Sequence, residues 1–445
     1  MTIKQFKDDP LAHFSYAIAS EGKMALVDPA RNPMQYYKYA EEQDAKIVAV
    51  FETHPHADFV SSHMQIHEQA GATLYVSKLV GAEYPHQTFD DGDSFKMGAV
   101  TFRAINTPGH SPDSITIVAE EGDETALFTG DTLFIGNVGR PDLREKAGNM
   151  KAKRVELAKE MYHTIRDKYT GLPDNALVYP AHGAGSLCGK NMSDASSSTL
   201  GNERQGNWAF KDQTEDEFVE EILKDQPFIP SYFGFNVDIN KDGADNVQKC
   251  KYDVDLKLLV SEVEDNVTVV DTRDGRFYRH GHLPNSINIM ARNSEDKFET
   301  WLGAIVEPKE PFYLVVSSVF DVDDILERTA KIGYEKQLKG VITLADEVSM
   351  TSDELDLGDF KEKKENYTIV DIRNNSELAE GKIFDSAIAI PLNELRDRAG
   401  EIPSDKPIVV HCAGGYRSSA GMSILENNYA NTKVYDLSED IKEFS

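Results

Sequence analysis

The chain has 445 residues, 40% of them apolar and 28% charged, which is more than one ordinary core holds and sets an expectation of roughly two to four domains. Its net charge is −29, from 76 acidic and 47 basic residues, so no basic stripe exists to displace counterions from phosphates and a nucleic-acid partner is excluded. Apolar runs such as KIVAVF and YLVV are far shorter than a bilayer span, so no membrane segment is expected.

The start, MTIKQFKDDP, lacks the apolar region of a secretory signal. Cys188, Cys250 and Cys412 are far apart and odd in number, which argues against a disulfide framework and for a reducing, cytoplasmic setting. From about residue 10 to 185, short β-rich runs (FSYAIAS, MALVDPA, KIVAVFETH, ATLYVS, VTFRAINTPGH, SITIVAE, TALFTGD, ALVYPAHG) alternate with the helical spacing of NPMQYYKYAEEQ and SSHMQIHEQA. Many strands with few helices predict two packed sheets with helices outside, an αββα sandwich.

Nine of the twelve histidines lie at or before His182. The segment Thr53 to Phe59, THPHADF, follows a strand and carries His54, His56 and Asp58 at two-residue steps. His110, Asp131 and His182 also follow strands. Polar ligand types at the ends of separate strands are what a metal cleft requires. This series resembles the metallo-β-lactamase superfamily over roughly the first half of the chain. That superfamily's dinuclear hydrolases carry a further histidine where this chain has Phe59, so a second ion would lose a nitrogen ligand there.

Two histidines and one carboxylate fit a single metal of the non-haem iron type. The persulfide dioxygenases of the superfamily use such a triad, and the resemblance implies His54, His110 and Asp131 as ligands to one Fe(2+) per chain. His56, Asp58 and His182 are then expected to orient ligands or hold water. Zinc on His54, His56 and His110 is the alternative. Arg140, in GNVGRPDL, is a candidate to bind a carboxylate of the thiol carrier, or else to pair with Asp142. His63 and His67, at i and i+4, are expected on a solvent-exposed helix face. Cys188 is expected to be a small buried residue, and Cys250 has no supporting motif.

A helix is expected around TEDEFVEEILKD, and NKDGADN has turn chemistry suited to a domain link. Beyond it, VVDTRDGRFYRHGHLPNSINI from Val269 and IVDIRNNSELAEGKIFDSAIAI from Ile369 repeat at an offset of 100 residues. Both copies carry Asp-x-Arg after a strand (Asp271/Arg273, Asp371/Arg373) and a glycine ten residues after the Asp, Gly281 and Gly381. Two tandem α/β domains are expected.

In PIVVHCAGGYRSSAGMSILENN, Cys412 ends a strand, Gly414 and Gly415 turn the chain, and Arg417 leads into a helix. Such a loop can aim backbone amides at a thiolate and add a helix terminus and a guanidinium to stabilise it. It resembles the six-residue active loop of rhodaneses over about residues 355 to 445, although Ala413 stands where many rhodaneses have Arg. The first copy has SSVFDVDDIL instead, with Ser317 or Ser318 near the cysteine's place and Asp321, Asp323 and Asp324 following. It is expected to be an inactive pseudo-rhodanese.

The whole order resembles persulfide dioxygenase–rhodanese fusions: 1–245 dioxygenase, 250–348 inactive rhodanese, 355–445 active rhodanese. The resemblance implies oxidation of a low-molecular-weight thiol persulfide by O2 to sulfite, sulfur transfer on Cys412 that forms or uses thiosulfate, and a homo-oligomer. A dinuclear thioester hydrolase of glyoxalase II type and a non-enzymatic sulfur-responsive scaffold are the rival readings.

Overall fold

A computed structural model of the chain describes residues 1–143 and 154–444. They form two compact units, Met1–Lys249 with Ala330–Gly333, and Cys250–Thr329 with Tyr334–Ser445.

The first unit is built on two six-stranded sheets. One runs Thr2–Asp8, His13–Ser20, Lys23–Val27, Lys46–Phe51, Thr73–Val76, Gln87–Thr88 in spatial order; the other runs Ser198–Thr199, Leu177–Pro180, Glu124–Gly130, Ile115–Glu121, Val100–Asn106, Ser94–Met97. Strand periodicity of two sends alternate residues to opposite faces. Tyr16 and Ile18 thus meet Phe102, Ile115 and Ile117 between the sheets. Ala17, Leu26 and Val50 face outward onto Tyr36, Ala40 and Ile66 of the helices Met34–Glu42 and His63–Ala70. On the other sheet Val118 and Leu127 pack outward against Ala158, Met161 and Phe218. Each sheet therefore buries both faces, which is the αββα arrangement of the metallo-β-lactamase fold.

The helix Glu215–Leu223 starts where TEDEF requires it. Thr214 and Glu217 close a capping box, while Phe218 and Ile222 share the buried face. Thr2–Asp8 is an edge strand outside the sequence reading; its half-exposed polar residues carry little apolar signal. The histidine His63 corrects an expectation. It is fully buried, its ring centroid is 4.6 Å from that of Tyr84, and its Nδ1 lies 3.5 Å from Glu52. A carboxylate buried beneath the helix draws it inward, a contact the i, i+4 spacing does not register. His67 is half-buried. The expected link also moves: Gly243 ends the helix Tyr232–Asp242, but the boundary between units falls after Lys249, inside the helix Val247–Tyr252.

The second unit contains two all-parallel sheets. The first copy runs Leu256–Val260, Leu338–Leu344, Phe312–Val315, Thr268–Asp271, Ser286–Asn288. The second runs Ile388–Ala389, Thr368–Asp371, Ile408–His411, Val434–Asp436. Read backwards, the second order matches the last four strands of the first. The repeated motif has one job in both. Arg273 donates to the Asp271 carboxylate and, at 2.6 Å, to the Gly281 carbonyl; Arg373 does the same with Asp371 and, at 2.9 Å, Gly381. Arg373 is thus held in a structural ion pair with Asp371.

Candidate metal centre and cysteine loop

Four strand ends bring the histidine-rich loops together. Thr53 to Asp58 follow Lys46–Phe51, His110 follows Val100–Asn106, Asp131 follows Glu124–Gly130, and His182 follows Leu177–Pro180. Two glycines allow the approach. Gly130 has φ +53°, and a Cβ there would meet Thr53 Oγ1 at 2.5 Å; one on Gly139 would lie 3.0 Å from His110 Nδ1.

Three buried groups of possible ligands occur among the described residues: His54/His110/Asp131, Asp58/His182/Cys188 and Asp28/Glu52/His56. Proton placement separates them. Thr53 Oγ1 donates to Asp28, so it accepts from His54 Nδ1 at 3.0 Å; His110 Nδ1 donates to the Arg140 carbonyl at 2.8 Å. Both imidazoles therefore turn Nε2 towards Asp131. Those atoms lie 3.8 and 3.5 Å from Asp131 Oδ2, which is buried without a hydrogen-bond partner. A buried carboxylate oxygen left unpaired is costly. Two imidazole nitrogens and an anionic oxygen at these separations suit one divalent cation, with the remaining positions open. Burial, then His56, holds His54 below its usual pKa and so keeps it neutral.

The other two groups are drawn into close contacts among their own side chains. His182 Nδ1 donates to Asp131 Oδ1 at 2.7 Å, and its Nε2 forms a 2.8 Å ion pair with Asp58. Burial opposes its charge, but Asp131 and Asp58 outweigh that and raise its pKa well above the ordinary value. An imidazolium has no lone pair to offer. Its charge, outweighing the burial of Asp131, keeps that carboxyl ionised. His56 is likewise turned away from the triad, with Nε2 3.1 Å from Asp28 and 3.9 Å from Glu52. Burial opposes its charge and the two carboxylates raise its pKa. The zinc alternative on His54, His56 and His110 therefore loses its second ligand.

Phe59 stacks on His13 and His56, with centroids 3.9 and 4.4 Å apart, filling the position where dinuclear relatives carry a further ligand. Of the two roles expected for Arg140, the pair with Asp142 is present. Arg140 is buried, its fork is filled by Asp142 at 2.6 Å on both arms, and it also donates to Leu187. It braces the loop that orients His110 and presents no open face to a thiol carrier. Sequence reading missed Asp28, Glu52 and His13. Asp28 ends the run MALVDPA and so carried the same strand-end signal as Asp131, whereas His13 sits inside a strand and carried none. Cys188 is buried as expected, against Asp58 and His182; burial, then the Asp58 and Asp131 carboxylates, pushes its thiol pKa up, so it is a thiol and not a thiolate.

In the second unit, Cys412 follows the strand Ile408–His411 and is buried. Gly415, with φ +95°, turns its N–H onto the Cys412 sulfur at 3.1 Å and serves as N-cap of the helix Tyr416–Asn428. Its Cβ position is occupied by the Glu439 amide, 2.7 Å away, so only glycine fits. Arg417 pairs with Glu377 on both arms at 2.7 Å and interacts electrostatically with Cys412. Gly414 is exposed on the rim.

The first copy holds this helix. Asn288 N–H donates to Ser423 at 3.0 Å, Asn427 donates to the Ser286 carbonyl, and Tyr416 Oη donates to the Met290 carbonyl. A cavity of about 460 Å³ opens between the copies against Gly414, Gly415 and Tyr416. Strand register also corrects the position matched to Cys412. Val315 pairs with Asp271 as His411 pairs with Asp371, so the residue matching Cys412 is Val316, not Ser317 or Ser318. Ser318 instead caps the turn Val319–Asp321, in a capping box with Asp321. A valine carries no sulfur nucleophile.

Residues 8–182 match the metallo-beta-lactamase superfamily, and residues 356–445 match the rhodanese-like domain. The persulfide dioxygenase ETHE1, mitochondrial, of Mus musculus is 32% identical over 162 residues, 35% of this chain and 58% of its own length. The bovine protein of the same description is 30% identical over 159 residues, again 58% of its length, so the chain spans about 58% of these curated relatives. A probable hydroxyacylglutathione hydrolase of Schizosaccharomyces pombe is 28% identical over 38% of this chain and 63% of its own. The crystal structure of a metallo-beta-lactamase from Staphylococcus aureus subsp. aureus COL superposes with TM-score 0.67 at 29% identity, covering 77% of this chain and 99% of that one.

Proposed function

We infer the activity of this chain from its make-up: a metallo-beta-lactamase domain joined to a rhodanese-like domain, with an N-terminal part homologous to persulfide dioxygenases. From that premise we propose that it oxidises a low-molecular-weight thiol persulfide, RSSH + O2 + H2O → RSH + SO3²⁻ + 2H⁺, at one ferrous ion per chain. We further propose that Cys412 carries sulfane sulfur in exchanges that form or use thiosulfate. The observation that carries the first reading is the unpartnered Asp131 Oδ2, with His54 Nε2 and His110 Nε2 at 3.8 and 3.5 Å. Mono-nitrogen depletion at Phe59, and the use of both His182 nitrogens in ion pairing, favour one metal over two and so favour the dioxygenase over a glyoxalase II type hydrolase.

A ferrous ion held by His54, His110 and Asp131 supplies the one-electron chemistry through which O2 reacts with a closed-shell sulfur. The chain's own residues do the rest. Thr53 and the Arg140 carbonyl hold the imidazole tautomers, and His182 holds the Asp131 carboxylate in place and ionised. In the second unit the Gly415 amide, the helix terminus and Arg417 stabilise negative charge on the Cys412 sulfur. All three cysteines are free, which suits a reducing compartment, and no helix among the described residues is long and apolar enough to cross a membrane. We place the protein in the cytoplasm, as a homo-oligomer. Metal analysis of the protein as purified, with oxygen uptake on adding persulfide, is the test. Full oxygen-independent thioester hydrolysis by a two-metal form would overturn it.

A further inference from the structure

Arg417 interacts electrostatically with the Cys412 sulfur, and its fork is taken. Glu377 accepts from both arms at 2.7 Å, and the pair is largely buried. Glu377 is itself fixed, because it is the third residue of the helix Asn375–Glu380 and accepts from the Asn374 N–H at 2.9 Å. Burial opposes its ionisation, but Arg417 outweighs that and holds its pKa below the ordinary value, so it is anionic at neutral pH.

No other cation compensates. Arg373 is spent on Asp371 and Gly381, and Ala413 offers no charge. His411, buried beside the loop, is held below its usual pKa by burial. The cavity against Gly414 and Gly415 presents Arg276, Arg279 and Arg292. It sets against them Asp274, Asp436, Glu439 and Asp440, four carboxylates to three guanidiniums. Asp274 also pairs with Arg276 and Arg292, and Arg292 pairs again with Asp296. The cavity beside Gly414 and Gly415 therefore presents no surplus positive charge.

Resting on the reading of Cys412 as a sulfur carrier, we propose that Glu377 is a specificity-determining residue: by occupying Arg417 it makes the loop accept sulfur from thiol persulfides and discriminate against dianionic thiosulfate. The two loading reactions differ in the charge they bring. With a persulfide, Cys412–S⁻ + RSSH → Cys412–SSH + RS⁻: the Cys412–S bond forms, the RS–S bond breaks, and RS⁻ leaves with the electron pair. With thiosulfate, Cys412–S⁻ + S–SO3²⁻ → Cys412–SS⁻ + SO3²⁻, and three negative charges gather in one transition state. Binding that oxyanion on Arg417 requires Glu377 to give up its bidentate pair. A persulfide has no oxyanion on its transferring sulfur and makes no such demand there. Glu377 acts through Arg417 and does not itself touch the reacting sulfur.

The test compares wild type, Glu377→Gln and Glu377→Asp in the full chain without oxygen. Thiosulfate and glutathione persulfide serve as donors to a thiol acceptor, and Cys412 loading is read by intact mass. Glu377→Gln keeps the hydrogen-bonding shape and removes the charge. Its KM for thiosulfate is expected to fall about tenfold, a change of about 1.4 kcal/mol, while its KM for the persulfide stays within about twofold. Glu377→Asp keeps the charge and should stay near wild type for both donors. In wild type alone, the KM for thiosulfate should exceed that for the persulfide by about tenfold or more, a comparison that does not depend on any variant folding. Equal KM values in wild type, or a thiosulfate KM unmoved in a folded Glu377→Gln, overturns this inference and leaves the sulfurtransferase reading intact. No loading of wild-type Cys412 by either donor overturns both.

Discussion

His182 Nδ1 lies 2.7 Å from Asp131 Oδ1, leaving Oδ2 of the same carboxylate to face His54 and His110. The histidine thereby selects which oxygen is offered to a cation and keeps the carboxylate ionised. His182→Ala should leave the three ligands in place but free the carboxylate to rotate. Iron affinity is expected to fall by about 10–100-fold, read by competition with a chelator. Undiminished affinity would mean that the ligand atom is held by something other than this contact.

Asp131→Ala removes the anionic ligand itself. Iron retention and oxygen uptake on persulfide should both be lost, while sulfur exchange on Cys412 persists because its machinery lies in the other unit. A zinc-only preparation of the wild type should consume no oxygen. Full activity of that preparation would sink the dioxygenase reading.

Cys412→Ser keeps size and polarity but removes the atom that becomes the persulfide. Sulfur exchange between thiosulfate and thiols should disappear, oxygen uptake on a supplied persulfide should continue, and products should shift from thiosulfate towards sulfite. Arg417→Ala should weaken transfer less completely, since the Gly415 amide and the helix terminus remain. Loss of oxygen uptake in Cys412→Ser would show that the metal centre depends on sulfur delivered through this residue.

Ser318→Ala should cost about 1 kcal/mol in stability through loss of a cap, with sulfur transfer unchanged. Ser317→Ala, at an exposed position, should alter neither. A Ser317 or Ser318 variant that melts like wild type yet loses sulfur transfer would give the first copy a chemical role that its Val316 register denies.

Glu426, on the helix Tyr416–Asn428, is pushed up to about 7 by burial, against the opposing hydrogen bond from Ser352. Its folded pKa lies above the unfolded one, so the folded state holds the extra proton between the two. Stability should fall as pH rises from about 4.5 to 7 and level off above. Glu426→Gln should therefore raise the melting midpoint at pH 8, by an amount worth about 1–3 kcal/mol, with the gain vanishing near pH 4.5. Equal shifts at both pH values would assign the effect to packing and not to the proton.

The sequence by itself determined the parts whose signal is local. Two-residue periodicity and helical spacing are written in neighbouring residues, and they sufficed for the sandwich and for the strand-end placement of His54, His110, Asp131 and Cys412. The repeated Asp-x-Arg and glycine were legible as a repeat, though not as the bridge from Arg273 to Gly281 and from Arg373 to Gly381. Only tertiary structure decided which neighbour each polar side chain finds. His56 and His54 stand two apart on one loop, yet one turns to Asp28 and the other to Asp131, because Asp28 arrives from a different strand. Arg140 closes on Asp142, His63 is drawn inward by Glu52, and strand register matches Val316 to Cys412. Burial multiplies the cost of an unpaired charge, so these choices depend on which distant groups are brought within a few ångströms, a quantity that residue spacing along the chain does not carry.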